Sequence, residues 1–316
     1  MNGVATRALI LLRGLFVGGV SLLVVVWAVA TVTFLLMRAI PGGPLSRDRQ
    51  LPQLVREAIE QRYHLNDSVW IQYGRYLADA ATLRFGLSYD DPGRTVGEII
   101  AQRFPVSVLL GVFSLGLALA MAFPLGMLAA ARGGWMDRLN AFVAALGVAV
   151  PSFILAATLL YIFSYRLRWF PSSGWSGPVS LVLPGVALAA LPTAYLARLI
   201  RSELTEVMNS DFIRTARAKG LSDAGVLLRH SLYHVTSPVL AYLGPHAAAI
   251  MTGSFVIEQI FNIPGLGQYF VTSISNRNYP MIMGVTLFYT VILVSFNIIS
   301  DGAARWLDPR TRHPST

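Results

Sequence analysis

Long runs of apolar residues, free of charge and about 20 residues each, alternate along the chain with short arginine-bearing connections. Six such runs lie between charged positions: Gly14–Met37, Phe104–Ala131, Leu139–Tyr165, about Val179–Ala197, Val235–Ile257 and Met281–Ser300. Each is long enough to cross a hydrocarbon layer as a helix, and far longer than the roughly 9–11 residues of a membrane barrel strand. The pattern predicts an all-α integral membrane protein with six transmembrane helices. The first run exceeds the roughly 7–15 residues of a signal-peptide core and no small-residue cleavage site follows it, so it reads as a retained span. Prolines in or beside the runs (Pro124, Pro151, Pro184, Pro192, Pro245) predict kinks. Small residues such as Gly111, Gly116, Ala118, Ala120 and Gly126 predict close helix packing.

One connection breaks the rhythm. From Arg38 to Arg103 the chain is long and mixed in polarity. Within it LPQLVREAIEQRYHL carries apolar residues at helical spacing (Leu54, Val55, Ile59, Tyr63), and VWIQYGRYLADAATL reads as a second amphipathic segment. SYDDPGR (Ser88–Arg94) is turn-forming. A boundary near residue 95 therefore separates residues 1–94, a first helix plus an external cap, from a five-helix core at 95–305, with a tail at 306–316. No internal repeat is evident.

Composition agrees. The chain has 316 residues, 54% hydrophobic and 13% charged, against about 25% charged in a soluble domain. There is no cysteine, hence no disulfide or thiolate chemistry. The net charge of +9 comes almost wholly from arginine. Those arginines mark topology rather than a nucleic-acid surface. Arg7, Arg13, Arg132, Arg138, Arg198, Arg201, Arg214, Arg217, Lys219, Arg229, Arg305, Arg310 and Arg312 fall on alternate connections, and the opposite short loops hold only Arg166, Arg168 and Arg277. The positive-inside rule puts both termini and the charged stretch Glu203–Pro238 in the cytoplasm, and the 38–103 loop outside.

That charged stretch, ELTEVMNSDFIRTARAKGLSDAGVLLRHSLYHVTSP, contains the only lysine, Lys219. Ser210 can cap a helix starting at Asp211, Gly220 can end it, and Ser222 can cap the next, with Asp223 in its first turn. By itself it fits a solvated loop as well as a docking element. The chain has no phosphate-binding G-x-x-x-x-G-K-[ST] loop. His230 and His234 are one helical turn apart without a third ligand, so no metal site is expected. Ser254 and His246 on the fifth run lack a third catalytic partner, so an intramembrane enzyme is not indicated. A secondary transporter would call for repeat symmetry and charged groups inside spans, and neither is clear. Glu258 is the one carboxylate deep in an apolar run. It is either a functional group or an interfacial residue hydrogen-bonded to the backbone near PGLG.

FIRTARAKGL followed by LLRHSL resembles the cytoplasmic loop of the membrane subunits of binding-protein-dependent ABC importers, peptide/nickel branch. Gly220 matches the glycine of the family's E-A-A-x-x-x-G motif and Ala216 its last alanine. Arg214 stands where a glutamate is common, and Tyr233 where a proline often follows. MRAIPGGP, YHLNDSVWIQYGRYL, FGLSY, FPVSVLLG, VPSF, PSSGWSG, LVLPGVAL, GSFVIEQIFNIPGLGQYFV, NRNYP and LDPRTR extend the resemblance over nearly the whole chain, with features most like the oligopeptide permease B subunits. The resemblance implies a type I importer permease fold. It implies a coupling helix at Asp211, Phe212, Arg214, Thr215, Ala216, Arg217, Ala218, Lys219, Gly220 and Leu221, and an external gate or scaffold around Glu258, Pro264, Gly265 and Gly267. It implies a non-enzymatic subunit that binds no cofactor itself, ATP and Mg being held by two partner ATPases. The further partners would be a homologous permease, an extracytoplasmic peptide-binding protein and the lipid of a bacterial inner membrane. Pro41–Arg103 is then a candidate dock for the binding protein or a structural cap. The substrate would be oligopeptide or dipeptide, with nickel or another small solute as the alternative.

Overall fold

The structure, a computed structural model, describes residues 2–39, 66–91, 93–222, 225–251 and 255–307. The expected helix around Leu54–Tyr63 therefore lies outside the described residues, as do MRAIPGGP from Ile40 onward, Asp223, Ser254 and the tail beyond 307. Helices account for the described secondary structure: α1 (Asn2–Ala39), α2 (Val69–Ala81), α3 (Val96–Arg132), α4 (Gly134–Ala149), α5 (Ser152–Leu159, continued by a π-turn at Leu160–Arg166), α6 (Val182–Met208, led by a 3₁₀ turn Pro178–Leu181), α7 (Asp211–Ala218), a π-helical segment Val226–Ser231, α8 (Leu232–Met251), α9 (Phe255–Ile260), α10 (Leu266–Asn276) and α11 (Tyr279–Leu307).

Among the described residues, four stretches are long and apolar enough to cross a membrane: Val17–Ala39, Val96–Arg132, Pro178–Met208 and Tyr279–Ser300. The third predicted span is not one straight helix. α4 and the α5 segment through Arg166 meet at 99°. The cause is local: Val150 precedes Pro151 and is held extended (φ −91°, ψ 114°), because the proline ring excludes the helical basin for the residue before it. Of the fifth predicted run the structure describes α8 to Met251 and α9 from Phe255, residues 252–254 lying outside the described residues. The fourth is longer than its charge-free core. α6 runs through Arg198, Arg201 and Glu203 because Leu196, Ala197, Ile200 and Leu204 continue one fully buried stripe. The polar connection therefore begins at Asn209 rather than Glu203.

The chain divides into two compact units. One comprises Met1–Pro105 and Tyr269–Ser295, the other Val106–Gln268 and Phe296–Thr316. In the first, Ala30, Phe34, Tyr76 and Leu287 form a small core. Asn278, fully buried, ties a distant loop to the start of α11: its Nδ2 donates to Ser88 Oγ (2.7 Å) and to the Asp90 carboxylate (3.1 Å), and its Oδ1 accepts the Tyr89 N–H (3.2 Å). The SYDD and NRNYP motifs, separate in sequence, are thus one structure.

In the second unit, α6 is the central helix, packed by α3, α4, α5 and α8. Glycine permits the closest approaches. A Cβ on Gly126 would lie 2.8 Å from the Ala197 carbonyl oxygen and from Ile200, and one on Gly147 would lie 2.6 Å from the Ala194 methyl. Gly116, by contrast, faces open space, so the small-residue pattern marks packing at Gly126 and not there. Arg201 pairs with Asp137 at 2.8 Å between α6 and α4. α8 meets the end of α11 at Gly244, where Ser300 occupies the place of a side chain and donates to the Leu240 carbonyl (3.1 Å).

Candidate functional site

Two places bring the expected site residues together, both within the second unit. The first is the connection from α6 to α8. Ser210 takes the N-cap position of α7 with extended backbone, as its sequence position predicts, but its hydroxyl donates back to the Val207 carbonyl (2.5 Å) instead of capping a helix amide. The other end follows the sequence reading closely. Gly220 has φ +85°, its N–H donates to the Arg217 carbonyl (2.9 Å), and the Leu221 N–H donates to the Ala216 carbonyl (3.3 Å). This 6→1 and 5→2 pair is a Schellman stop, which needs a residue able to adopt the left-handed conformation. Ser222 then receives the Gly225 N–H on its hydroxyl (3.3 Å), initiating the next helical segment.

α7 is anchored through its buried face. Ile213 is fully buried and Ala216 half-buried. Phe212 is largely exposed, with its ring 5.4 Å from that of His234. Asp211, Arg214, Thr215, Arg217, Ala218, Lys219 and Gly220 are exposed, and Leu221 is half-buried. Arg214 lies 3.4 Å from Asp211, an ion pair too exposed to add much stability. The result is a two-turn helix with a rigid stop and one buried anchor. Its outward face is cationic with an aromatic corner. The π-helical segment Val226–Ser231 behind it was not foreseen; π-turns of this kind often mark functional positions and have no periodicity signal in so short a stretch.

The second place surrounds Glu258. The side chain is completely buried. One carboxylate oxygen accepts the Ser107 hydroxyl (2.8 Å), and the other accepts the Gln268 N–H (2.9 Å). The Ser107 oxygen in turn accepts the Leu266 N–H (2.9 Å). Leu266 and Gln268 are the first and third residues of α10, whose early amides have no partner within the helix. A carboxylate at a helix N-terminus is also favoured by the helix dipole. Glu258 is thus the backbone-bonded residue near PGLG that the sequence allowed, and it is at the same time the clamp joining α9, α10 and α3. Gly265 and Gly267 make room for it: a Cβ on Gly265 would fall 2.4 Å from the carboxylate and 2.7 Å from Ser107 Oγ, and one on Gly267 would fall 2.9 Å from the carboxylate. Pro264, half-buried, precedes the clamp in the chain. The PSSGWSG loop reaches the same region, since the Gly174 N–H donates to the Phe261 carbonyl (2.9 Å) and Trp175 packs on the adjoining core.

Sequence reasoning missed Ser107 as a site residue. Its only signal was its place in FPVSVLLG, where one hydroxyl among apolar neighbours looks unremarkable until α10 is folded over it. His246 stacks on Tyr242 at 3.9 Å between ring centres and contacts the Tyr242 carbonyl through Nδ1 (2.9 Å). The structure therefore occupies it locally, and the Ser254 paired with it in sequence is outside the described residues.

The described residues thus carry an exposed helix with a glycine stop and a buried carboxylate clamp, set among helices long and apolar enough to cross a membrane. Residues 122–313 match the family of binding-protein-dependent transport system inner membrane components, and the chain belongs to that family. The chain is 44% identical over 285 residues to the dipeptide transport system permease protein DppB of Bacillus subtilis, covering 90% of this chain and 92% of that protein. It is 39% identical over 287 residues to the oligopeptide transport system permease protein OppB of Escherichia coli K12, covering 90% and 94%. Among solved structures it resembles an inward-facing form of the MetNI methionine ABC transporter with TM-score 0.53 and 17% identity, over 66% of this chain and 96% of that one. That likeness concerns the fold, which is the type I ABC importer permease fold expected from the sequence.

Proposed function

We propose that the chain is one half of the membrane pathway of an ATP-driven importer for short peptides, and that α7 is the lever through which ATPases act on it. The observation that carries the lever is the α7 geometry itself: anchored by Ile213, stopped by Gly220, and presenting Phe212, Arg214, Arg217 and Lys219 outward. A helix so held transmits force as a unit, because its connection cannot unwind at Gly220 without losing two hydrogen bonds. The peptide assignment rests on the names of the relatives. Both dipeptide and oligopeptide systems stand among them, so the pathway is assigned to peptides as a class. Two ATPase subunits carrying ATP and Mg, a homologous permease and an extracytoplasmic binding protein complete the transporter. Both termini and α7 face the cytoplasm, in the inner membrane of a bacterium. Residues 1–94 then form the first span and external cap, 95–305 the transport core with α8 and α9 in the fifth crossing, and 306–316 the tail. Glu258, Gly265 and Gly267 hold the outer gate segment in shape, with Pro264 at its entry.

The chain's lack of cysteine makes the test direct. With Lys219→Cys in the assembled transporter, a short thiol cross-linker should join this chain to an ATPase subunit bearing a cysteine in its membrane-facing cleft. Proteoliposomes of the same assembly should take up labelled peptide only with ATP. Uptake by the isolated chain under an ion gradient, or absence of the cross-link in an active assembly, would overturn the proposal.

A further inference from the structure

α2 belongs to the extramembrane segment by sequence, yet its surroundings are those of a helix lying in the membrane boundary. It packs on the last two turns of α1. Tyr73 shares a hydrogen bond with Thr31 (2.7 Å), the Phe34 ring lies 5.3 Å from Tyr73 and 5.9 Å from Tyr76, and Arg38 bonds to Gln72. Those turns lie inside the apolar stretch Val17–Ala39, 23 residues. At 1.5 Å per residue that stretch is about 34 Å long, against roughly 30 Å of hydrocarbon, so Thr31–Arg38 occupies the outermost part of the layer and its headgroup border. Arg38, folded over Phe34 at 5.0 Å, fits that border.

The remainder of α2 supplies the second argument. At about 100° per residue the helix has three sectors. Tyr73, Tyr76 and Leu77 face α1 and the small core. Arg75 and Asp79 form a charged edge, with Arg75 paired to Asp67 at 2.7 Å. Between them runs a sector made only of apolar and small residues, Trp70, Ile71, Gly74 and Ala78, and it is exposed: Trp70 is 80% accessible and Ile71 54%. α1 is equally bare away from its contact with α2, with Leu35 and Leu36 more than half exposed. A continuous apolar face, a charged edge beside it and a tryptophan at headgroup depth are the marks of an interfacial helix.

We propose that α2 is a membrane-interface anchor whose Trp70–Ile71–Ala78 sector is seated in the lipid headgroup and upper acyl region, fixing the external segment to the bilayer beside α1. The occupant of this face is lipid, as it is for the adjoining face of α1.

Single cysteines at Trp70, Ile71, Ala78, Arg75 and Asp79, each carrying a nitroxide, test this in lipid nanodiscs by collision with oxygen, which partitions into lipid, and with a water-soluble nickel chelate. The full-length chain is measured alone and with its transporter subunits. The expected result is an oxygen-to-nickel ratio several-fold higher at positions 70, 71 and 78 than at 75 and 79, in both preparations. Equal, water-like ratios in all sectors would make α2 a solvated cap. Low collision with both probes at 70 and 71 would mean that protein covers the face. Either result overturns the proposal. Ala78→Cys is a small-for-small change, so its readout stands even where Trp70→Cys fails to fold.

Discussion

Replacing Glu258 by glutamine isolates the charge of the clamp from its shape. The carboxylate accepts hydrogen bonds from Ser107 Oγ (2.8 Å) and the Gln268 N–H (2.9 Å), in a site with no solvent access. A glutamine keeps one acceptor oxygen and turns an NH₂ toward the other donor. A hydrogen bond to a charged group contributes about 1.5–3 kcal/mol and a buried donor left without a partner costs about 1–3 kcal/mol, so E258Q should cost about 2–3 kcal/mol. Ser107→Ala removes the hydroxyl that both donates to Glu258 and accepts from Leu266. It should cost a similar amount. Because the two side chains share one bond, the double variant should cost less than the sum, with a coupling of about 1.5 kcal/mol, near the top of what polar pairs in membrane bundles contribute. The assay is reversible unfolding in mixed micelles for the wild type, the two single variants and the double variant, with peptide uptake measured in parallel. Additivity to within about 0.5 kcal/mol would refute the view that Ser107 and Glu258 work as one clamp.

Three other outcomes follow from the geometry. Gly220→Val must place a β-branched residue at φ +85°, a strain of about 1–2 kcal/mol; ATP-driven uptake should collapse while membrane insertion persists, and Gly220→Asn, which tolerates that conformation, should retain much of it. Gly244→Val would drive its side chain into Ser300, 2.0 Å from the Cβ position, whereas Gly19→Val meets nothing within 4 Å; thermal unfolding in detergent should separate the two sharply. Asn278→Ala removes a hydrogen-bond partner from Ser88, Tyr89 and Asp90, so limited proteolysis should become faster around residues 84–95 while the connection from α6 to α8 is unaffected.

The apolar runs, the arginine pattern and the glycine stop of α7 are local properties, and the sequence by itself determined them. A run of 20 uncharged apolar residues has few alternatives to a membrane helix, and a glycine two residues after FIRTARA favours a helix stop there. Even the break at Pro151 is local in origin, though its 99° angle is not. The length of α6 was misjudged because charge was read as the end of a helix, while the buried stripe Leu196–Ile200–Leu204 continued beneath it. Only the tertiary structure decided what long-range contact creates. Ser107 and Glu258 are 151 residues apart, and Asn278 and Ser88 190 apart. No periodicity joins them, because the first pair is made where helices meet through packing and the second where a loop meets the start of a helix. Trp70 belongs with these. Its place in an amphipathic segment was legible, but the depth of α2 beside α1 follows from Tyr73, Phe34 and Thr31 meeting, and such a meeting is fixed by three-dimensional packing rather than by the order of residues.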